Sequence, residues 1–325
     1  LCLSIFSVTL MKLIPLSKKS KMKGFHIMIS KFMKSVLYSN PFVKKKIINT
    51  HNETFSKPGI IIANHTSFLD ILAMGMLHPK IIFLVNDWVY NSPIFGKAVQ
   101  LAGFYPVSGG IEKGVEQLKE KVAEGYSLMA FPEGTRSTTN KIRRFHKGAF
   151  FLAEKLELDI IPVLIHGNSE VLPKGSFIIR DGSITVKILK RIDSEDMSYG
   201  KTDRERTKLI GTFFRNEFKT IRSEIENETY FHDLVKLDYR YKGDVLYRRV
   251  KKNLKENSDI YKTFLDTLNK RSSILNLTGG EGEFDLLLLL DGADRKICTY
   301  IKDESTRSIV ENSFISKHYN RITFA

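Results

Sequence analysis

The chain has 325 residues, of which 42% are apolar and 27% are charged, and this balance excludes a collagen, a disordered chain and a disulfide-bonded mini-scaffold. Its two cysteines, Cys2 and Cys298, lie at opposite ends of the chain with no metal-ligand spacing, which fits a reducing compartment. The net charge is +15, and most of the excess lies near the N-terminus.

Residues 1–57 are predicted to form a basic, amphipathic, membrane-proximal segment, because eleven lysines and the single acid Glu53 give this stretch a charge of +10. Such a lysine cluster favours an anionic membrane surface as partner rather than nucleic acid. The apolar stretch from Leu1 to Met11 is either the stump of a transmembrane helix or a signal-like segment. We therefore expect the protein at the cytoplasmic face of a membrane, bound peripherally or anchored by a truncated N-terminal helix.

Residues 25–37 follow the spacing of a helix with one apolar face. That face is formed by Phe25, Met28, Ile29, Phe32, Met33, Val36 and Leu37, and the other face mostly by His26, Ser30, Lys31, Lys34 and Ser35. Such a helix either packs on the protein's own core or lies in a membrane interface. Its basic polar face and the following Lys44-Lys45-Lys46 run favour the interfacial position.

Residues 58–228 are predicted to form a domain in which short apolar strands alternate with helices, which indicates an α/β sheet. The expected strands are Gly59–Ala63, Ile81–Val85, Phe104–Val107, Ser127–Phe131 and Ile160–Ile165, followed by a hairpin of Phe177–Arg180 and Ile184–Leu189 turned at Asp181-Gly182. The expected helices are Phe68–Leu77, a segment opened by Ser92-Pro93, Ile111–Glu124, and a long charged helix from Arg204 to Glu228. Chemistry is expected at the carboxyl ends of the strands.

The first motif follows the first of these strands and reads Asn64-His65-Thr66-Ser67-Phe68-Leu69-Asp70. Five positions along a regular helix separate two side chains by about 140°. His65 must therefore lie in the turn before the helix if Asp70 is to reach it. In that arrangement the carboxylate fixes the imidazole tautomer and raises its basicity, and the pair activates a hydroxyl directly. The alternative is a helix-capping histidine beside an unrelated aspartate.

The second motif, Phe131-Pro132-Glu133-Gly134-Thr135-Arg136-Ser137, also follows a strand. Gly134 allows a sharp turn, and Thr135 with Arg136 offers donors to an oxyanion. Arg143, Arg144 and Lys147 follow closely. Alone, this segment is equally well a basic structural loop.

Together, the two motifs resemble those of the lysophosphatidate acyltransferase family of glycerolipid acyltransferases. The resemblance extends to Ile161-Pro162-Val163 and to the stretch 145–153, and covers roughly residues 25–225. It implies a glycerolipid-acyltransferase-like mixed sheet flanked by helices. It also implies that His65 is the general base and Asp70 its orienting partner. Glu133, Gly134, Thr135 and Arg136 would bind the acceptor, with Lys147 as a further candidate.

One position departs from this family. Gly109 stands where the family usually has an arginine that helps to hold the phosphate of the acceptor. Either another base such as Arg143, Arg144 or Lys147 substitutes, or the headgroup of the acceptor is not glycerol phosphate. A lyso-aminolipid acceptor would need no phosphate clamp.

The expected reaction moves a fatty acyl group from acyl-CoA or acyl carrier protein to the hydroxyl of a lysolipid, in membrane lipid biosynthesis. The oxyanion would be stabilised by backbone amides or by Arg136. We expect no cofactor and no metal for this step.

Residues 229–325 are predicted to form a small, partial Rossmann-like α/β domain. A strand, the glycine turn Gly279-Gly280-Glu281-Gly282, an apolar helix and a second strand lead to Asp303 and Glu304. This order resembles the first motif of class I S-adenosylmethionine-dependent methyltransferases, with Asn276 and Thr278 replacing the motif's Asp and first Gly. By that resemblance Gly280, Gly282 and Asp303 would bind S-adenosylmethionine, although the segment is too short for a whole domain of this type.

Two other functions remain open from the sequence. The chain is either a methyltransferase whose front domain only docks on membrane, or a lipid-binding fragment without turnover. The intact motifs around His65 and Glu133 favour the acyltransferase over both.

Overall fold

The computed structural model describes residues 17–137, 141–277, 280–291 and 294–325. The apolar segment Leu1–Met11 and Thr278 lie outside the described residues. The chain divides into two compact units, Leu1–Phe218 and Lys219–Ala325. Across the described residues, no helix combines the length and the apolarity needed to cross a membrane.

The strands of the first unit form one seven-stranded mixed sheet. They are β1 (Val43–Ile48), β2 (Ile60–Ala63), β3 (Ile81–Val85), β4 (Tyr105–Pro106), β5 (Ser127–Ala130), β6 (Ile160–His166) and β7 (Gly182–Ile188), in the order β1-β7-β6-β2-β5-β3-β4. Only β6 and β7 pair antiparallel. Strand β2 is the run Ile60-Ile61-Ile62-Ala63 and is buried throughout, as expected of a central parallel strand.

The helices of this unit connect the strands. They are α1 (Lys18–Tyr38), α2 (Leu69–Gly75), α3 (Asp87–Tyr90), α4 (Gly96–Leu101), α5 (Val115–Ala123), α6 (Gly148–Lys155), α7 (Asn168–Val171) and α8 (Asp203–Ile225), with 3-10 turns at Glu112–Gly114 and Met197–Tyr199. Helix α8 continues past Phe218. The α/β sheet and its flanking helices confirm the predicted class of this domain.

Residues 17–57 belong to the first unit. The lysine run at 44–46 lies in β1, an edge strand that pairs in parallel with β7, and charged side chains on an edge strand discourage pairing with other chains. The guanidinium of Arg191 donates hydrogen bonds of 2.9 Å to both carboxylate oxygens of Glu53, and its Nη1 lies 3.3 Å from Asp159 Oδ2. These contacts fix the segment before β2 to the sheet.

Helix α1 is rotated relative to the sequence prediction. Phe25, Leu37 and also His26 are buried, and Met33 packs against the core, whereas Phe32 is half-exposed. The ring of His26 contacts that of Tyr126 edge-on, at a centroid distance of 5.0 Å. Burial lowers the pKa of His26, so the neutral imidazole is favoured inside the protein. The helix therefore packs the predicted apolar face, apart from Met28 and Phe32, on the protein's own core.

The predicted hairpin at Asp181-Gly182 is wrong. The sheet contains only its second strand, β7, and the segment Phe177–Arg180 is a loop. Both edges of β7 are already occupied, one by β6 and the other by β1, so no further strand has a place beside it. The sequence did not indicate β1 as a strand because its lysine run lacks alternating apolar residues.

The second unit combines helices with a three-stranded parallel sheet. Its elements after α8 are α9 (Glu228–Tyr239), α10 (Asp244–Glu256), α11 (Ser258–Thr267), β8 (Ser273–Asn276), α12 (Glu283–Leu290), β9 (Lys296–Thr299), α13 (Glu304–Glu311), α14 (Phe314–Tyr319) and β10 (Ile322–Phe324). The strand order is β10-β9-β8. Helix α12 supplies the centre of the core, because all five leucines from Leu286 to Leu290 are buried. The Rossmann-like classification of this unit stays a prediction.

Candidate active site

The first motif lies where the chain leaves the central strand β2. The side chain of Asn64 bonds both backbone groups of Ile165, accepting from its N–H and donating to its carbonyl, each at 2.8 Å. This amide extends the pairing of β2 with β6 by one residue after β2 has ended. The chain then turns, so that His65 lies in the turn and Asp70 in the first turn of α2, as the five-residue spacing requires.

His65 and Asp70 form a hydrogen-bonded pair, with 2.9 Å between His65 Nδ1 and Asp70 Oδ2. Asp70 is fully buried. Its Oδ2 also accepts from the backbone amides of Thr66 (2.6 Å) and Ser67 (2.8 Å), and its Oδ1 accepts from Asn168 Nδ2 (2.6 Å). Four donors therefore converge on one carboxylate, which fixes its orientation toward the imidazole.

Asn168 is a residue of this site that the sequence analysis missed. It follows Gly167, which has φ +89°, and a Cβ at Gly167 would lie 1.9 Å from the carbonyl oxygen of Ser183. This position needs glycine, and the resulting turn carries Asn168 back toward Asp70. The available signal was topological: Asn168 follows β6, and β6 is the neighbour of β2 in the sheet.

The imidazole of His65 lies flat against Phe131, at a centroid distance of 4.0 Å and an interplanar angle of 14°. Its side chain is 14% exposed. With Nδ1 held by Asp70, the other nitrogen, Nε2, has no hydrogen-bond partner among the residues that the structure describes. The ring is thus fixed on one face and one edge, and Nε2 is left available to a substrate hydroxyl.

Glu133 connects two backbone segments of the site. Its Oε1 accepts from the backbone amide of His65 and its Oε2 from that of Arg143, both at 2.8 Å. The carboxylate is buried, and burial raises the pKa of Glu133, while the amides of Arg143 and His65 act in the opposite direction. Each oxygen of Glu133 thus bonds a backbone amide, and the role of Glu133 in binding the acceptor stays a prediction.

The rest of the second motif wraps around the backbone of His65. Gly134 has φ +72°, and the amide of Ser137 donates to the carbonyl of His65 at 2.7 Å. Thr135 is exposed and Arg136 half-buried. Within the described parts of the chain, the amides of Thr135 and Arg136 and the guanidinium of Arg136 have no partner. These groups are the donors that an oxyanion near His65 would meet.

Basic side chains surround this motif. Arg143, Arg144 and Lys147 are exposed, and the bridge through Glu133 places the backbone of Arg143 beside that of His65. Gly109 lies in the loop after β4, where no heavy atom is within 4 Å of the position that a Cβ would take. The missing arginine therefore leaves open space.

The residues predicted to bind a cofactor lie in the second unit. Gly280 and Asp303 line a cleft of about 630 Å³, together with Arg249, Leu277, Glu281, Tyr300, Lys302 and Thr306. Gly282 precedes α12 with φ +82°, and a Cβ there would lie 2.4 Å from Val310. The carboxylate of Asp303 caps α13 by accepting from the amide and the hydroxyl of Thr306, each at 2.7 Å. Asp303 is thus committed to the helix end.

Comparison with known proteins shows what the first unit is similar to. Residues 44–166 match the family model described as Acyltransferase, and this range contains both motifs. The structure is similar to the crystal structure of the 1-acyl-sn-glycerophosphate (LPA) acyltransferase PlsC from Thermotoga maritima, with a TM-score of 0.57 over 67% of this chain and 87% of that one. At 22% identity this likeness shows the fold alone. Residues 44–166 are therefore similar to an acyltransferase domain.

Curated relatives of the chain include proteins named 1-acyl-sn-glycerol-3-phosphate acyltransferase. The chain is 34% identical over 177 residues to the chloroplastic 1-acyl-sn-glycerol-3-phosphate acyltransferase LPAT1 of Arabidopsis thaliana, covering 52% of this chain and 49% of that protein. It is 31% identical over 167 residues to the 1-acyl-sn-glycerol-3-phosphate acyltransferase of Saccharomyces cerevisiae, covering 48% and 54%. The chain thus spans about half the length of these relatives. These relatives support the resemblance to the lysophosphatidate acyltransferase family. They do not support the resemblance to methyltransferases.

Proposed function

We propose that the chain transfers a fatty acyl group from a thioester to the hydroxyl of a lysolipid, with His65 as general base. The observation that carries this proposal is the fully buried Asp70 bonded to His65 Nδ1, inside the range that matches the acyltransferase family model. The names of the relatives support 1-acylglycerol 3-phosphate as the acceptor. The donor is acyl-CoA or acyl carrier protein.

In the proposed step, His65 Nε2 removes the proton from the acceptor hydroxyl while its oxygen attacks the thioester carbonyl. The tetrahedral oxyanion is stabilised by the amides of Thr135 and Arg136 or by the Arg136 guanidinium. The intermediate then expels the thiolate, which takes the proton from the imidazolium. General-base catalysis of this kind contributes roughly 10²–10⁴-fold.

The phosphate of the acceptor would be held by bases that follow the second motif, because Gly109 offers no side chain. Arg143 is the strongest candidate, since Glu133 ties its backbone to that of His65. Arg144 and Lys147 are exposed on the same segment.

Membrane association at the cytoplasmic face is part of this proposal, because the acceptor is a lipid. The outward face of α1 supports it: Ile27, Met28 and Phe32 are exposed there beside Lys31 and Lys34. Apolar side chains interleaved with lysines suit the boundary between headgroups and acyl chains of an anionic leaflet. The interfacial role therefore rests on other residues of α1 than those that pack on the core.

A second candidate concerns the second unit alone. The cleft at Gly280 lies where β8 and β9 end, the usual place for a ligand in a parallel sheet, and this position supports binding of S-adenosylmethionine. Equilibrium dialysis of the full chain with labelled S-adenosylmethionine tests it. No retention above that of an Arg249→Glu variant would remove this candidate.

The acyl transfer itself is tested with purified chain, labelled acyl-CoA or acyl carrier protein, and a panel of acceptors. The panel holds 1-acylglycerol 3-phosphate, other lysophospholipids and a lyso-aminolipid, and mass spectrometry identifies each product. Turnover with the phosphate-bearing acceptor that disappears in His65→Ala supports the proposal. No diacyl product with any pair, or the same product from His65→Ala, would overturn it.

A further inference from the structure

A loop with an exposed apolar tip connects α7 to β7. In this 172–181 loop, Phe177 is 99% exposed, Ile178 75% and Ile179 44%. A contiguous group of large apolar side chains in water marks an interaction site more often than a chance arrangement.

Backbone hydrogen bonds hold the tip away from the protein. The amide of Arg180 donates to the carbonyl of Val171 at 2.8 Å and closes the base of the loop. The amide of Ser176 donates to Pro173 at 3.1 Å, in a turn where Gly175 has φ +88°. Since this turn is fixed, Phe177 and its neighbours are presented outward and do not fold back onto the sheet.

The loop begins beside both motifs of the candidate active site. The hydroxyl of Ser67 donates to the carbonyl of Leu172 at 2.6 Å, and Lys174 Nζ donates to the carbonyl of Arg136 at 3.1 Å. Ser67 also contributes its amide to Asp70. One end of the loop is thus tied to the turn that carries His65.

The loop ends beside the start of β1. The amide of Gly182 donates to the carbonyl of Phe42 at 3.4 Å, and the side chain of Phe42 is 69% exposed. Lys44 and Lys46 follow in β1 with exposed side chains, and Lys174 is exposed at the other end of the loop. Lysines therefore flank the apolar tip on both sides.

We infer that the 172–181 loop inserts Phe177 and Ile178 into the surface of an anionic lipid leaflet and holds the His65 turn against it. In this position the apolar tip would contact the hydrocarbon boundary of the leaflet, and the flanking lysines would contact its acidic headgroups. A protruding tip enters a bilayer without a preformed pocket, whereas a protein partner would need one. The inference rests on the proposed function, because holding the His65 turn at the leaflet is useful only if the acceptor is a lysolipid. Such an acceptor would reach His65 by moving along the leaflet.

The single tryptophan of the chain makes the insertion measurable. Phe177→Trp is placed in a Trp88→Phe background, and its emission is followed with vesicles of phosphatidylcholine and phosphatidylglycerol carrying brominated acyl chains. Leu209→Trp in the same background is the matched control, because Leu209 is a 43% exposed apolar residue on α8. The expected result is a blue shift and bromine quenching for the loop reporter and neither for the control. Unchanged emission of the loop reporter would overturn the inference, whether or not the protein sediments with the vesicles.

A turnover ratio separates this inference from the proposed function. For the double variant Phe177→Ser/Ile178→Ser, turnover on acceptor in vesicles relative to dispersed short-chain acceptor should fall roughly tenfold. The ratio of Leu209→Ser should stay at the wild-type value. Quenching of the loop reporter in a chain without any acyl transfer would refute the proposed function and leave the insertion standing. An unchanged ratio would refute the insertion. A loss confined to reactions with acyl carrier protein as donor would also refute it, and would show that the tip binds that protein.

Discussion

Replacing Asp70 by asparagine removes one charge from the candidate site while leaving its hydrogen-bond geometry in place. Three donors converge on Oδ2, from His65, Thr66 and Ser67, so the amide oxygen of the new side chain belongs there. Its nitrogen then faces Asn168, whose Oδ1 is buried with no partner among the described residues. Rotation of the Asn168 amide turns that oxygen toward the new nitrogen and moves Asn168 Nδ2 to the place without a partner, so the number of unpaired buried atoms does not rise. We therefore expect Asp70→Asn to fold.

The catalytic cost follows from the lost charge. In the proposed mechanism, the imidazolium that forms on His65 lies next to the carboxylate of Asp70, and two opposite charges about 4 Å apart near a protein surface attract by about 4 kcal/mol. The asparagine oxygen still accepts a hydrogen bond from Nδ1–H of His65, so the imidazole tautomer does not change. The loss of activity is therefore electrostatic. When most of this attraction stabilises the transition state, its removal lowers kcat/KM roughly 10²–10³-fold, since each 1.36 kcal/mol corresponds to a factor of ten.

The assay is the initial rate of acyl transfer at saturating donor over a range of acceptor concentrations, with thermal unfolding measured alongside. The loss should appear in kcat, with KM for the acceptor changed little and Tm within a few degrees of the wild-type value. Asn168→Ala serves as the partner variant, because its effect should be smaller in the Asp70→Asn background than alone. A loss below threefold in a well-folded Asp70→Asn protein would refute the role assigned to the pair.

Three further predictions follow from single contacts. Glu133→Gln leaves one acceptor for the two backbone amides of His65 and Arg143, so urea unfolding should show a loss of about 1–3 kcal/mol and acyl transfer should fall with it, whereas unchanged stability would contradict the bridge. Gly109→Arg enters open space and should lower KM for a phosphate-bearing acceptor roughly tenfold without affecting an acceptor of uncharged headgroup; an equal effect on both would contradict a phosphate contact. Burial raises the pKa of Asp285 from 3.8 to about 6, so this group stabilises the fold below about pH 4 and loses that contribution as the pH rises through about 6. Asp285→Asn should therefore raise the free energy of unfolding at pH 8 by up to about 3 kcal/mol and change it little at pH 4; equal changes at both pH values would contradict this assignment.

The sequence predicted the contact between His65 and Asp70 better than the elements around it. His65 and Asp70 were predictable because an apolar strand, a turn and a helix place them at one sheet edge whatever the rest of the fold. Asn168 was not predictable from spacing, since it joins Asp70 only through the adjacency of β2 and β6. Glu133 belonged to a recognisable motif, but the sequence does not show whether a carboxylate faces the backbone or a ligand.

The wrong local predictions share a physical cause. Lys44-Lys45-Lys46 has no apolar alternation and therefore does not predict a strand, yet its backbone completes the sheet edge beside β7. Phe177–Arg180 has the composition of a strand, but both edges of β7 are taken before it can pair. In each case pairing in the sheet overrode local propensity, and pairing is not contained in a single segment.

The most direct test of the account is the rate of acyl transfer from acyl-CoA to 1-acylglycerol 3-phosphate for three chains: wild type, His65→Ala and His51→Ala. His51 is an exposed histidine before β2 and controls for the loss of an imidazole elsewhere. The account predicts that His65→Ala lowers kcat/KM roughly 10²–10⁴-fold while His51→Ala keeps the wild-type value. Equal rates for all three chains, or no diacyl product from the wild type, would contradict it.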